Sequence, residues 1–150
     1  MEQIIDNYTI TTDKGKINVP YTHAFLSQAS YWAENIPLAV VQRSIEGSLC
    51  FVVLHHDEQV GFARVITDGA TFAYLADVFI DPAHRGRGLS KRLMEAILAH
   101  PSLQGLRRFM LATRDAHGLY RQYGFTPLTA PDRWMQVHQP EVYKEQAASG

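Results

Sequence analysis

A short basic turn that contains two glycines carries the most specific chemistry in this sequence. It runs from Arg85 to Ser90 with the letters R-G-R-G-L-S. The apolar run Ala73–Ile80 before it has the length and the β-branched and aromatic residues of a strand. After the turn, apolar residues recur at helical spacing until Pro101, which ends the helix. The pattern therefore predicts a strand, a basic turn and a helix in that order.

This arrangement suits a phosphate. The first turn of a helix leaves about four backbone N–H groups without partners, and the helix dipole adds partial positive charge there. Glycine lets a ligand approach the backbone closely, and Arg85 and Arg87 can add charged hydrogen bonds. The P-loop and dinucleotide-binding motifs are excluded, because Leu89 follows Gly88 and the third glycine is missing. From the turn alone, a plain connection with two surface arginines is an equal alternative.

Two segments, in the right order, carry a family resemblance. Val78–Met94 resembles the acetyl-CoA-binding motif of the GNAT N-acetyltransferase superfamily. That motif has an Arg or Gln, two variable residues, a Gly, one variable residue and a Gly or Ala, and Arg85, Gly88 and Ser90 stand at its three defined positions. Ser90 stands where the family has glycine or alanine. Ala116–Phe125 resembles the family's later helix, which ends in Tyr-x-x-x-Gly-Phe. The likeness covers about residues 48 to 138.

The resemblance implies a fold and a reaction. The fold is mixed α/β, with a mainly antiparallel sheet whose fourth and fifth strands are parallel, and with flanking helices. The reaction moves an acetyl group from the cosubstrate acetyl-CoA to a primary amine by direct attack, and a non-catalytic acyl-CoA-binding module is the alternative. In the family the two parallel strands part, so that the cofactor's arm lies between them. The implied cofactor-binding residues are Val78, Phe79, Ile80, Arg85, Gly86, Arg87, Gly88, Leu89 and Ser90.

Tyr120 takes the position of the family's general-acid tyrosine, which protonates the departing CoA thiolate. A phenol with a pKa near 10 can donate to such a thiolate, because the pKa of a thiol is about 8.5. From helical spacing alone, a core aromatic residue is the alternative. Tyr123 is the rival tyrosine, but its place beside Gly124 favours a structural role.

Asp77 is the candidate base, because it is a lone carboxylate in an apolar strand. The period of two predicts that its side chain shares a face with Leu75 and Phe79. The alternative is a structural aspartate that accepts hydrogen bonds from the backbone or from an arginine.

Trp32 and Glu34 are the candidate substrate-binding residues. They lie between the first two predicted helices, in a loop that often borders the acceptor site in the resembling family. An aromatic ring and an acid would suit a cationic amine. An exposed loop with one buried tryptophan is the alternative.

Composition bounds the remaining classes of protein. The chain has 150 residues, 46% of them hydrophobic, which predicts one domain over residues 1–150 with a partly ordered tail at 139–150. A net charge of −1 argues against a nucleic-acid partner, and no stretch is long enough to cross a bilayer. The one cysteine, Cys50, excludes an internal disulfide and lies in an apolar run, so we expect a core residue and not a catalytic thiol.

These features together predict a cytoplasmic protein that uses no metal. The N-terminus lacks the basic-then-apolar form of a signal peptide, and no cysteine or histidine cluster has the spacing of metal ligands. The expected partner is an amine, on a small molecule or on a protein, and the sequence leaves a homodimer open.

The rest of the chain supplies the elements that position these residues. Periodicity predicts a first strand at Ile4–Thr12 and helices at Val19–Ser30 and Leu38–Ile45. The fourth and fifth strands should be parallel, because a strand–helix–strand connection is usually a right-handed crossover. The later predicted elements are strands at Ser48–His55, Val60–Thr67, Ala73–Ile80 and Gly105–Thr113, a short helix at Ala116–Tyr123, and final strands at Phe125–Leu128 and Trp134–His138.

Overall fold

Six strands form one sheet in the computed structural model, which describes residues 2–144. The strands lie side by side in chain order, and each neighbouring pair is antiparallel except the last, which is parallel. The predicted mixed sheet with one parallel pair is confirmed, and the predicted fourth and fifth strands are the last two. The strands are β1 (Glu2–Ile5), β2 (Tyr8–Thr11), β3 (Leu49–His55), β4 (Glu58–Thr67), β5 (Phe72–Ile80) and β6 (Arg108–Leu111).

Four helices flank the sheet, and local residues explain where they begin and end. The side chain of Asn18 accepts a hydrogen bond from the amide of Tyr21 at 3.0 Å and so caps the first helix. Gly47 follows the end of the second, and Pro101 follows closely on the third. The helices are α1 (Val19–Ala29), α2 (Leu38–Glu46), α3 (Leu89–Ala99) and α4 (His117–Arg121).

Two apolar clusters cover the two faces of the sheet. Because successive strand residues face opposite sides, neighbours such as Cys50 and Phe51 belong to different clusters. Cys50 is 1% exposed, as expected of a core residue. The α3 cluster includes Phe51, Val53, Val65, Leu75, Leu93 and Ile97. The α1–α2 cluster includes Leu26, Val41, Ile45, Cys50, Phe62 and Phe79.

The single first strand predicted at Ile4–Thr12 is wrong, because the chain makes a hairpin there. β1 and β2 pair antiparallel around Asp6 and Asn7, whose φ angles are 52° and 69°. A two-residue turn with positive φ at both positions matches the right-handed twist of the flanking strands. Asparagine and aspartate tolerate that conformation better than most residues.

The final strands predicted at Phe125–Leu128 and Trp134–His138 are absent from the described residues. Pro127 interrupts the first segment and has no N–H for a ladder. The second segment leaves Met135 and Val137 facing solvent, 96% and 93% exposed. Neither segment pairs with β6, the strand at the edge of the sheet, and residues 125–129 lie across a cavity from it.

The predicted tail at 139–150 falls partly outside the described residues, which end at 144. Within the described part, Tyr143 is half-buried and packs against the α1–α2 cluster. The chain therefore returns to the sheet after the exposed segment that contains Met135.

Candidate active site

β5 and β6 separate part of the way along the sheet. Their parallel pairing runs from Phe72 opposite Arg108 to Leu75 opposite Leu111. β5 then continues to Ile80 with no partner on that side among the described residues. We call this opening, between residues 76–80 and the chain that follows Leu111, the splay. Its backbone N–H and C=O groups are available to a ligand.

A β-bulge marks the start of the splay. Phe62 pairs with Phe79 and Arg64 with Ala76, so two residues of β5 face one residue of β4. The first of the two, Asp77, has a φ of +56°.

The bulge also reverses which way the side chains of β5 point. Leu75 belongs to the α3 cluster, whereas Phe79 belongs to the α1–α2 cluster. The predicted shared face is therefore wrong for Leu75, because the inserted residue breaks the period of two, whereas Asp77 and Phe79 do share a face. Asp77 lies on the face of α1 and α2.

Both carboxylate oxygens of Asp77 accept a hydrogen bond. Oδ2 is 2.7 Å from Nε of Arg64, and Oδ1 is 2.9 Å from Nε1 of Trp32. The arginine also donates to the hydroxyl of Ser48 at 3.1 Å. Asp77 is 9% exposed, so these contacts are shielded from water. They match the structural aspartate that the sequence left open as an alternative.

The loop between α1 and α2 is attached to both sides of the splay. Trp32 donates to Asp77 on β5, as described above. Its neighbour Tyr31 accepts a hydrogen bond from the amide of Arg114 at 3.1 Å, in the chain that follows β6. The guanidinium of Arg114 also lies 3.8 Å from the centroid of the Tyr31 ring, within the range of a cation–π contact. We call residues 31–36 the bridging loop.

Tyr120 lies near this loop, on α4. It is 8% exposed, and its ring contacts that of Phe125 edge to face at 6.0 Å. Burial raises the pKa of the phenol, and the neighbouring Tyr31 and Asp115 raise it further. Its hydroxyl has no hydrogen-bond partner in the described part of the chain, whereas that of Tyr123 donates to the carbonyl of Lys91 at 3.3 Å.

The basic turn opens α3 as the sequence predicts. Gly86 and Gly88 have φ angles of 78° and 75°, and Gly88 is the N-cap residue, with no side-chain hydrogen bond at the cap. A residue with a Cβ would be strained in this left-handed conformation. Nε of Arg85 donates to the carbonyl of Ile80 at 3.0 Å and so ties the turn to the end of β5. The turn is exposed from Arg85 to Gly88, and the first amides of α3 have no intrahelical partner.

The candidate residues from the sequence fall into three neighbouring groups. Val78 to Ile80 line the splay, and Arg85 to Ser90 form the turn near its end. Trp32 belongs to the bridging loop, and Asp77 and Tyr120 lie near that loop. Glu34 lines a cavity of about 690 Å³ between the bridging loop and residues 137–144.

Sequence reasoning missed three residues of this region. Arg64 had a detectable signal, because it is a lone charge in an apolar strand, as Asp77 is in the neighbouring strand. Tyr31 and Arg114 had none, because their contact joins positions 83 residues apart.

A larger cavity, of about 950 Å³, lies along the free edge of β6. Its walls are β6, α4 and residues 125–129, and Tyr120 is the one candidate residue among the described ones that reaches it. Neither the basic turn nor Asp77 borders it, so cavity size alone does not identify the reaction site.

Two further findings concern only residues 2–144. No group of three or more histidine, cysteine, aspartate or glutamate residues could hold a metal ion there. No helix in that range is long and apolar enough to cross a membrane.

Comparisons with known proteins place this geometry in a family context. A family model described as an acetyltransferase (GNAT) domain matches residues 46–127. A protein of Gibberella zeae assigned to the acetyltransferases is 32% identical over 136 residues, which cover 76% of each chain.

Solved structures with a similar fold are assigned to the same family. The crystal structure of a protein from Xanthomonas campestris assigned to the GNAT family is 54% identical, with a TM-score of 0.90, over 94% of this chain and 99% of that one. A GNAT acetyltransferase from Elizabethkingia anophelis, solved with acetyl-CoA bound, is 13% identical with a TM-score of 0.62 and 90% coverage of each chain. At that identity the second comparison speaks for the fold alone.

Proposed function

Because this chain belongs to the GNAT acetyltransferase family, we propose that it moves an acetyl group from acetyl-CoA to a primary amine by direct attack, without an acyl-enzyme. Acetyl-CoA supplies the activated thioester as a substrate. The amine nitrogen bonds to the carbonyl carbon, the carbon–sulfur bond breaks, and the sulfur leaves as a thiolate. The protein therefore has to bind a diphosphate, hold an extended arm and manage two protons.

The splay is the observation that carries this proposal. After Leu75, β5 no longer pairs with β6 but runs on to Ile80, and a short turn at Pro82–His84 joins it to the basic turn. An extended amide-containing arm can hydrogen-bond to the free edge of residues 76–80 much as another strand would. A diphosphate fits the amides at the start of α3, with Arg87 beside them.

Tyr120 is proposed to protonate the thiolate. Its raised pKa keeps the phenol protonated through the range in which an amine reacts. Tyr120 also lines the cavity of about 950 Å³, so a bound group can reach it. The absence of another partner for its hydroxyl in the described residues leaves that hydrogen free for the sulfur.

Deprotonation of the amine is the second requirement. A lysine-like amine has a pKa of about 10.4, so its deprotonation near neutral pH costs roughly 4 kcal/mol. The sequence predicts Asp77 for this task. Its contacts favour the other role open to it, since Arg64 and Trp32 engage both of its oxygens.

The acceptor is proposed to enter beside the bridging loop. Trp32 is 41% exposed, and Glu34 lines the cavity behind it, so an aromatic ring and an acid can both face a cationic amine. The fold does not fix which amine this is.

Two measurements test the proposal. We expect calorimetry to detect acetyl-CoA binding, and release of free thiol to require an amine from a panel of a free peptide N-terminus, a lysine peptide, spermidine and glucosamine. Binding without thiol release on any amine would favour the alternative, a non-catalytic acyl-CoA-binding module. No binding at all would refute both.

A further inference from the structure

We propose that Asp77 is a positioning residue, which holds the bridging loop at the acceptor side of the splay through Trp32. This inference rests on the proposed acetyl transfer and deepens it, because it replaces the base role with a different task for the same carboxylate. It also gives Trp32 a structural reason to stay in place while one of its faces remains open to solvent.

The hydrogen bonds of Asp77 argue against proton transfer. Its Oδ2 is 2.7 Å from the charged Arg64, and the side chains of the pair are 8% and 16% exposed. A general base needs an oxygen that faces the proton it takes, whereas this oxygen faces the guanidinium of Arg64. Its Oδ1 is already occupied by the indole N–H of Trp32 at 2.9 Å.

The backbone at Asp77 explains how the carboxylate reaches the loop. Its φ of +56° belongs to the bulge that opposes two residues of β5 to one residue of β4. The bulge turns the side chain onto the face of α1 and α2, where Trp32 lies. Strained backbone persists where the surroundings impose it, and it concentrates at functional sites.

The opposite end of the loop is fixed as well. Tyr31 accepts from the amide of Arg114 at 3.1 Å and lies under its guanidinium at 3.8 Å. Trp32 and Tyr31 contact each other edge to face at 5.1 Å. Trp32 is therefore held between Asp77 on one side and the anchored Tyr31 on the other, and loss of the bond to Asp77 would release its indole on one side. Asp77 thus sets the position of the acceptor wall.

Trp32→Phe tests the contact with a matched control. Phenylalanine keeps an aromatic side chain but replaces the indole by a smaller ring without an N–H donor. We expect the KM for the amine to rise about tenfold, with the KM for acetyl-CoA and the pH dependence of kcat unchanged. Trp134→Phe is the control, because Trp134 is also 41% exposed but stacks on Arg108 at 4.7 Å, away from the bridging loop. It should change neither KM.

Substitutions of Asp77 separate the two roles. Asparagine can still accept from Trp32 and tolerates positive φ, so Asp77→Asn should largely preserve the KM for the amine. It also removes the counterion of Arg64 and should lower the thermal stability, so the folded fraction of each Asp77 variant is measured by circular dichroism at the assay temperature. Asp77→Ala should raise the KM for the amine as Trp32→Phe does. The double variant Asp77→Ala/Trp32→Phe should have a KM for the amine no higher than that of the more strongly affected single variant. A base would give the opposite result: Asp77→Asn would lower kcat by about 10²–10⁴ and flatten its pH dependence, whereas Trp32→Phe would leave both unchanged. That outcome would overturn the proposal.

Fluorescence gives a readout that needs no activity. The chain has two tryptophans, so Trp134→Phe leaves Trp32 as the one reporter. Adding Asp77→Ala should release Trp32 and raise its acrylamide quenching constant about twofold, and Asp77→Asn should restore it. Unchanged quenching would overturn the positioning role even in an active enzyme. Increased quenching in a protein that acetylates no amine would support the attachment and refute the proposed function.

Discussion

Replacing Tyr120 with phenylalanine should remove the proposed acid and little else. The substitution deletes a hydroxyl that has no hydrogen-bond partner in the described part of the chain, and it keeps the ring that contacts Phe125 at 6.0 Å. The free energy of unfolding should therefore change by less than about 0.5 kcal/mol. A loss of turnover would then report on chemistry and not on folding.

The size of the loss follows from the two pKa values. Full proton transfer from a phenol at pKa 10 to a thiolate at about 8.5 is uphill by roughly 2 kcal/mol. Burial raises the pKa of Tyr120, so the true transfer is steeper still. The phenol consequently acts mainly through a hydrogen bond to the developing charge, worth about 1.5–3 kcal/mol. We expect kcat to fall roughly 10- to 150-fold, since 1.36 kcal/mol is a factor of ten.

The assay is thiol release at saturating acetyl-CoA, followed from pH 7 to 10. A general acid can donate its proton only while it is protonated. Because the pKa of Tyr120 is raised, the phenol should lose its proton only above pH 10. The kcat of the unmutated protein should therefore rise with deprotonation of the amine and show no descending limb in this range. Tyr120→Phe should lower the whole curve and leave the KM for acetyl-CoA unchanged.

Tyr123→Phe is the matched control, because Tyr123 lies three residues further along and its hydroxyl donates to a backbone carbonyl at 3.3 Å. It should leave kcat within twofold of the unmutated value. Full turnover in Tyr120→Phe would remove this residue from the mechanism, and a loss confined to Tyr123→Phe would transfer the acid role to the rival tyrosine.

Three further predictions concern cofactor binding, packing and thiol chemistry. Gly88→Ala and Gly69→Ala both place a Cβ at a φ near 75°, so each should lower the free energy of unfolding by about 1–2 kcal/mol. Only Gly88→Ala should weaken acetyl-CoA binding by calorimetry; equal weakening by both would contradict a phosphate site at that turn. Gly61→Ala sets a Cβ 2.8 Å from a buried methyl and should cost about 1–3 kcal/mol in chemical denaturation, whereas Gly118→Ala, in open space on a helix, should be neutral or stabilising. Burial raises the pKa of Cys50 to about 11, so a disulfide reagent at pH 8 should react with it only after unfolding, and rapid labelling of the native protein would refute its burial.

Much of the fold follows from local patterns in the sequence. The apolar run before the basic turn, the glycines of that turn and the helical spacing after it predicted β5, the turn that precedes α3, and the end of α3 before Pro101. These signals are strong because each element has its own period and its own terminating residue. The paired polar residues at Asp6 and Asn7 were also a readable turn signal, although they were taken as part of a longer strand.

The remaining features depend on contacts between distant parts of the chain. Alternation at residues 134–138 indicates that the segment could pair, but whether a free edge lies beside it is a property of the whole fold. The bulge at Asp77 could not be derived from a period of two, because it is the exception to that period. The attachment of Tyr31 to Arg114 spans 83 residues and has no local signature.

No described residue pairs with the outer side of β6, and this edge affects how the molecule behaves at high concentration. An unpaired outer strand is a template on which another molecule can extend the sheet, and repeated addition leads to fibres. β6 is only four residues long and begins at the exposed Arg108, with the exposed Arg107 just before it. Short length and positive charge both oppose such growth. The two arginines therefore oppose pairing of this edge with another molecule. Replacing both with threonine should make the protein prone to aggregate.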